Sequence, residues 1–120
     1  MGGKSRERAI SIQSGKACFN AIKKMGYKTY KLDPLNRIEK NIKKINPDII
    51  FNCLHGKYGE DGEVQKILEK LKIPYTHSGV KSSQNAMDKI KSKKIFLKNN
   101  IKTPRYKVLK KISDLDKNIS

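Results

Sequence analysis

Residues 48–62 read Asp-Ile-Ile-Phe-Asn-Cys-Leu-His-Gly-Lys-Tyr-Gly-Glu-Asp-Gly, and this stretch decides the fold class. Its first half, residues 48–54, is a nearly continuous apolar run of strand length. A parallel strand covered by helices on both faces has this composition, because neither face meets water. Its second half sets three glycines within eight residues at the strand's carboxyl end. Open α/β sheets bind ligands in that position, in the crevice beyond the strand ends.

Helix and strand alternate on either side of this stretch. Residues 8–25 carry Ala17, Cys18, Ala21, Ile22 and Met25 at helical spacing, and Gly26 suits a left-handed position just past the helix end. Residues 27–32 alternate apolar or aromatic side chains with polar ones, as a strand does, and Asp33-Pro34 stops them. A helix over 36–45 places Ile38, Ile42 and Ile45 on one face and ends at Asn46-Pro47. Beyond the glycine loop, 63–71 reads as a helix anchored by Val64, Ile67, Leu68 and Leu71. Residues 73–76 read as a short strand. One long helix is expected over 83–99, with Met87, Ile90, Ile95 and Leu97 as anchors. Pro104 interrupts the chain, 105–109 reads as a strand, and 113–120 as the start of a helix capped near Ser113 and Asp114. Strands separated by helices imply an α/β fold with a parallel sheet. The expected domains are 1–82 and 83–120.

The glycine turn and helix entry at 2–8 lack the strand that precedes such a turn in a βα unit. The expectation is that Met1 lies at the end of a first strand that the sequence does not contain. A sheet lacking one central strand leaves two open edges and an apolar groove, and is expected to be weakly stable.

Of the 28 basic residues only Arg6, Arg8, Arg37 and Arg105 are arginine; against 11 acidic residues the formal net charge is +17. Such a charge suits a nucleic-acid partner. The lysines are dispersed, however, aromatics are 7%, and no recognition motif is present. Specific readers use arginine forks and aromatic stacking. Abundant Asn, Ile and Lys instead match an AT-rich coding sequence, and nucleic acid is not the expected partner. An apolar fraction of 36% supports a folded domain and argues against wholesale disorder. There is no signal-peptide pattern and no apolar run long enough to span a membrane. Cys18 and Cys53 are expected as buried thiols of a reducing cytoplasm, with a disulfide as the alternative.

Three places carry chemistry. Glu7 follows the paired glycines Gly2-Gly3, where a carboxylate can reach a substrate ammonium; on local grounds it equally serves the helix dipole. His55 stands at the strand end with Glu60 nearby to orient it, and a histidine satisfied within a turn is the alternative. Lys89 sits among lysines and reads locally as a solvated charge. Two histidines and unspaced cysteines give no metal site.

Taken together, GGKSRERAIS (2–11), LHGKYGEDG (54–62), IPYTHSGV (73–80) and MDKIKSK (87–93) resemble the D-alanine–D-alanine ligase family over essentially the whole sequence. The resemblance implies an α/β, Rossmann-like pre-ATP-grasp domain lacking its first strand, followed by the beginning of an ATP-grasp central domain. It implies a cytoplasmic enzyme of peptidoglycan synthesis that uses ATP and Mg2+. One D-alanine is phosphorylated on its carboxylate, and the amine of a second attacks the acyl phosphate. Glu7 then matches the glutamate that holds the first ammonium, and Ile10 lines its methyl pocket. Ser11 supports the turn, His55 and Glu60 form the pair beside the substrate, and Lys89 reaches the ATP phosphates. A homodimer through this lobe is implied as well. The related D-alanine–D-lactate ligases and a basic nucleic-acid-binding module are the alternatives. Metal ligands and most catalytic groups of the family lie outside these motifs, so the chain alone is expected to be inactive. His77 departs from the glycine common at its place in the family.

Overall fold

The computed structural model describes residues 1–109 and Lys111. Two compact units divide between Met87 and Asp88. The first holds four helices: α1 (Arg8–Lys24), α2 (Ile38–Ile45), α3 (Glu63–Lys70) and α4 (Val80–Met87). The second holds α5 (Lys89–Lys98).

The helix ends follow local chemistry. At the end of α1, Gly26 takes φ +89°, and its N–H donates to the Lys23 carbonyl at 3.0 Å. The Tyr27 N–H reaches back to the Ile22 carbonyl at 3.4 Å. This paired closure satisfies carbonyls that the last turn leaves free. Asn46 ends α2 in the left-handed region. Lysine occupies the last turn of α1, α2, α3 and α5, where the helix dipole is negative.

The long helix expected over 83–99 is two helices, a correction with a plain cause. Asp88 adopts extended backbone, and its carboxylate accepts the N–H groups of Ile90 at 3.1 Å and Lys91 at 3.0 Å. An aspartate side chain that satisfies the first free amides starts a helix rather than continuing one.

The expected strands are also corrected. Among the described residues the only β pairing is one parallel bridge, Ile50 to Tyr75. The Ile50 N–H donates to Pro74 O at 2.9 Å and Ile50 O accepts the Thr76 N–H at 3.0 Å. The pairing of 48–54 with 73–76 is therefore parallel, but it does not extend into a ladder. Between 27–32 and 48–54 lies a groove of 570 Å³. That gap keeps backbone groups on its two sides from meeting, so 27–32 has no facing strand. No strand forms over 105–109, and the helix expected at 113–120 lies outside the described residues.

The buried apolar core is small: Ile42 of α2, Leu54, and Val64 and Leu68 of α3. Leu32, Ile38, Ile50, Tyr58, Leu71, Ile73 and Tyr75 pack around it half-buried. Large apolar side chains on the groove side stay exposed, among them Tyr30 at 51%, Ile49 at 60% and Phe51 at 49%. Cys18 and Cys53 are free thiols in the groove wall, half-buried rather than buried as expected. Among the described residues no helix is long and apolar enough to cross a membrane.

Candidate functional site

The site is built where the two glycine loops meet. Gly2 and Gly3 have φ of +92° and +85°, a left-handed backbone that glycine adopts without steric cost. Two clamps hold this turn. The Gly2 N–H donates to Ser11 Oγ at 2.9 Å, and the Ser11 hydroxyl donates to the Cys53 carbonyl at 2.7 Å. Ser11 is fully buried, so a single hydroxyl joins the turn, α1 and the end of the apolar run. The second clamp is Asp33. It accepts the Gly3 N–H at 3.1 Å and the Arg8 guanidinium at 2.5 Å, and Arg8 also donates to Gly3 O at 3.0 Å.

Partial burial alone would raise the Asp33 carboxyl. Hydrogen bonds from Arg8, Leu35 and Gly3, with the Arg8 charge, bring it down from 3.8 to about 2. A folded value below the unfolded one means that the fold favours the ionised form. Its stabilisation is fully present above the unfolded value and disappears as pH falls through about 4 to 2. Asp33→Asn is therefore expected to lower the thermal midpoint at pH 7 by on the order of 5 °C. The gap from the parent should close near pH 2. A gap of the same size at both pH values would remove the ion pair from this account.

The second loop folds over the first. A Cβ on Gly56 would collide with the Glu7 carboxylate and the Ser5 hydroxyl, so both lie directly against this glycine. Glu60 Oε2 accepts the Gly56 N–H at 2.9 Å, and its Oε1 lies 3.6 Å from His55 Nδ1. On the other side of the ring, His55 Nε2 lies 3.3 Å from Ser14 Oγ. Asp61 holds the loop's far end by accepting the N–H groups of Tyr58 at 2.8 Å and Glu63 at 3.1 Å. Asn52 Nδ2 and Gln65 Nε2 both donate to Gly59 O, at 3.1 and 2.9 Å.

Of the residues singled out from the sequence, the structure gathers Glu7, Ser11, His55 and Glu60 around these two loops. Among the described residues, Glu7 has no ion-pair partner. Ile10 is 54% exposed on α1. Lys89 is exposed at the start of α5, in the second unit. Ser14, Ser5 and Asp33 were not singled out. Ser14 was within reach of the sequence, because Glu7, Ser11 and Ser14 are spaced by four and three residues, one helix face. His77 has φ +81°, with Thr76 Oγ1 2.9 Å from its Nδ1 and the Phe51 ring edge-on at 6.2 Å. A left-handed backbone is where glycine fits best, which explains the glycine that the resemblance led one to expect there.

A family profile described as the D-ala D-ala ligase N-terminus matches residues 28–78. A D-alanine–D-alanine ligase of Pelagibacter ubique is 55% identical over 105 residues, covering 88% of this chain and 34% of that protein. The chain is a relative of the D-alanine–D-alanine ligases. A Bartonella tribocorum D-alanine–D-alanine ligase is 52% identical, over 78% of this chain and 30% of its own length. The crystal structure of the Bacillus anthracis D-alanine–D-alanine ligase complexed with ATP superposes with a TM-score of 0.78 at 37% identity. That match covers 98% of this chain and 42% of that one. The ligase resemblance read from the four motifs is thus found in sequence and in fold, and the chain spans about a third of the length of these ligases.

Proposed function

We propose that the first unit is the Rossmann-like pre-ATP-grasp lobe of a D-alanine–D-alanine ligase, short of one strand, and that it forms one wall of the site for the first D-alanine. The observation that carries the reading is Glu7. Its carboxylate lies against Gly56 at the junction of two glycine loops, without an ion-pair partner among the described residues. A substrate ammonium supplies the missing positive charge, and charge-assisted hydrogen bonds to a carboxylate are the strong ones. Ser11 fixes the turn that carries Glu7. His55, held between Ser14 and Glu60, flanks the same place, and exposed Ile10 offers apolar surface to the alanine methyl group. The break at Asp88 supports a domain boundary just beyond the one expected at 82.

The full reaction, ligation of two D-alanines with ATP for peptidoglycan in the cytoplasm, belongs to this proposal for the whole enzyme, as does a homodimer. In that enzyme ATP supplies the phosphoryl group that activates the carboxylate. Lys89 is one of several exposed lysines on α5, and among the described residues there is no cluster of three or more His, Cys, Asp or Glu that could hold a metal ion. What this chain does is bind and orient an amino acid.

Titrating the 15N-labelled chain with D-alanine is expected to shift the amide signals of Glu7, His55 and Gly56, with an affinity in the millimolar range that a single wall provides. Glu7→Gln, which keeps the shape and removes the charge, should weaken the response about tenfold or more, the size of one charged hydrogen bond. Signals that stay still at tens of millimolar D-alanine, or respond equally in Glu7→Gln, would sink the proposal.

A further inference from the structure

The glycine loop over 56–62 is held at its middle by one carbonyl. Gly59 O accepts two amide donors, Gln65 Nε2 from α3 at 2.9 Å and Asn52 Nδ2 from the apolar run at 3.1 Å. The peptide group that carries this oxygen also carries the Glu60 N–H. A trans peptide is planar, with its C=O and N–H pointing opposite ways, so fixing the oxygen aims the N–H. That N–H donates to Gly56 O at 3.0 Å, and the Gly59 N–H donates to the same oxygen at 3.2 Å. The Glu60 side chain also returns to Gly56. Its Oε2 accepts the Gly56 N–H at 2.9 Å, and its Oε1 faces His55 Nδ1 at 3.6 Å. Both backbone groups of Gly56, the glycine against which the Glu7 carboxylate lies, are thus set by residues 59 and 60. Gly59 has no room for a side chain, since a Cβ there would collide with Leu54.

The two donors on Gly59 are unlike. The Asn52 amide is used at both ends, because its Oδ1 accepts the Leu54 N–H at 3.0 Å. Gln65 is 2% exposed, and its Oε1 meets no donor among the described residues. Turning the amide over would set Oε1 against Gly59 O, two acceptors face to face, so the nitrogen keeps that side. One neutral hydrogen bond adds modestly to stability, whereas a buried acceptor without a donor costs as much or more. An apolar side chain of the same length would therefore serve the packing of α3 as well as glutamine does. What the glutamine adds is direction at Gly59 O.

We propose that Gln65 is a positioning residue of the amino-acid site. With Asn52 it orients the peptide group between Gly59 and Glu60, and so fixes Gly56 against Glu7 and Glu60 beside His55. Gln65 acts through the loop and not on the ligand. Its role at the ligand rests on the Glu7 reading above; its hold on the loop does not.

The test compares the full 15N-labelled chain with Gln65→Met, which keeps the length of the side chain and removes the amide. The midpoint of Gln65→Met is expected within about 3 °C of the parent, or above it. Exchange of the Glu60 N–H with solvent should quicken about tenfold, because Asn52 alone then holds the loop. The Asn46 N–H, bonded to Ile42 O in α2, is the control and should exchange as in the parent. The D-alanine response should weaken about fivefold, the size of one neutral hydrogen bond. Gln65→Glu tests rescue. Its neutral carboxyl donates to Gly59 O and its ionised form only accepts, while burial favours the neutral form. At pH 5 it should match the parent in Glu60 protection, and at pH 8 it should lose that match. Unchanged Glu60 exchange in Gln65→Met overturns the proposal. So does a midpoint loss with Glu60 and Asn46 exchange quickened alike, since Gln65 then holds the fold and not the loop. If Gln65→Met does not fold, Gln65→Glu decides, and Glu60 protection unlike the parent's at pH 5 overturns the proposal. A parent whose signals ignore D-alanine sinks the Glu7 reading and leaves the exchange comparison to judge the loop.

Discussion

Leu68→Ala is expected to lower the thermal midpoint by about 15 °C, enough to leave much of the chain unfolded at 37 °C. Leu68 is 1% exposed and, among the described residues, belongs to a core of four buried apolar side chains, with Ile42, Leu54 and Val64. Truncating a buried leucine costs about 2–5 kcal/mol, because transfer energy is lost and a cavity remains. Each kcal/mol moves the midpoint of a domain this size by about 4–8 °C. The groove makes the loss harder to absorb, since Leu68 also contributes to its lining and one side has no packed neighbour to move in. Circular dichroism melts of the parent and variant decide it. A drop below about 5 °C would mean that these four side chains are not what holds the first unit together.

Gly56→Ala has the second large effect, and it falls on function more than on stability. Gly56 sits at φ +69°, where an L side chain costs about 1–2 kcal/mol. The new methyl group would also occupy the space where the Glu7 carboxylate and Ser5 hydroxyl now lie. Glu7 must move, and the D-alanine response is expected to vanish while the midpoint falls by about 5–10 °C. Gly26→Ala is the control. It has a comparable φ of +89° but nothing within 4 Å of the added atom, so it carries the backbone cost alone. The control should melt lower and respond to D-alanine as the parent does. A Gly56→Ala chain with a normal response would show that Glu7 is not positioned by this contact.

The helices were legible where apolar spacing and end signals agreed. Gly26 and Asn46 mark the ends of α1 and α2 because both are short-range choices between backbone conformations. Asp88 was missed for the opposite reason. Met87, Ile90 and Ile95 kept an apolar rhythm across it, and the capping carboxylate that breaks the helix stood within a lysine-rich stretch. Runs 27–32, 48–54 and 73–76 were recognisable by composition, but a ladder needs a partner at hydrogen-bond distance, and only Ile50 and Tyr75 meet. The site divides along the same line. Glu7 and His55 lie in glycine loops whose placement speaks for itself. Arg8 and Asp33 are 25 residues apart and met only once the chain was folded. Asp33 looked like a strand stop, and its part in holding Gly3 could not be read from its neighbours in sequence.

The lysines at the helix ends have a consequence at the level of solutions rather than single molecules. A chain that exposes Tyr30, Ile49 and Phe51 beside open backbone has the makings of a sticky particle. At a formal net charge of +17 it is also a strongly like-charged one. Repulsion between copies reaches about 10 Å at 0.1 M salt and about 3 Å at 1 M. In dilute buffer the charge holds two grooves apart before their edges can pair, and added salt withdraws that protection. The chain is in this sense a charge-stabilised colloid, whose shelf life is set by ionic strength before it is set by heat.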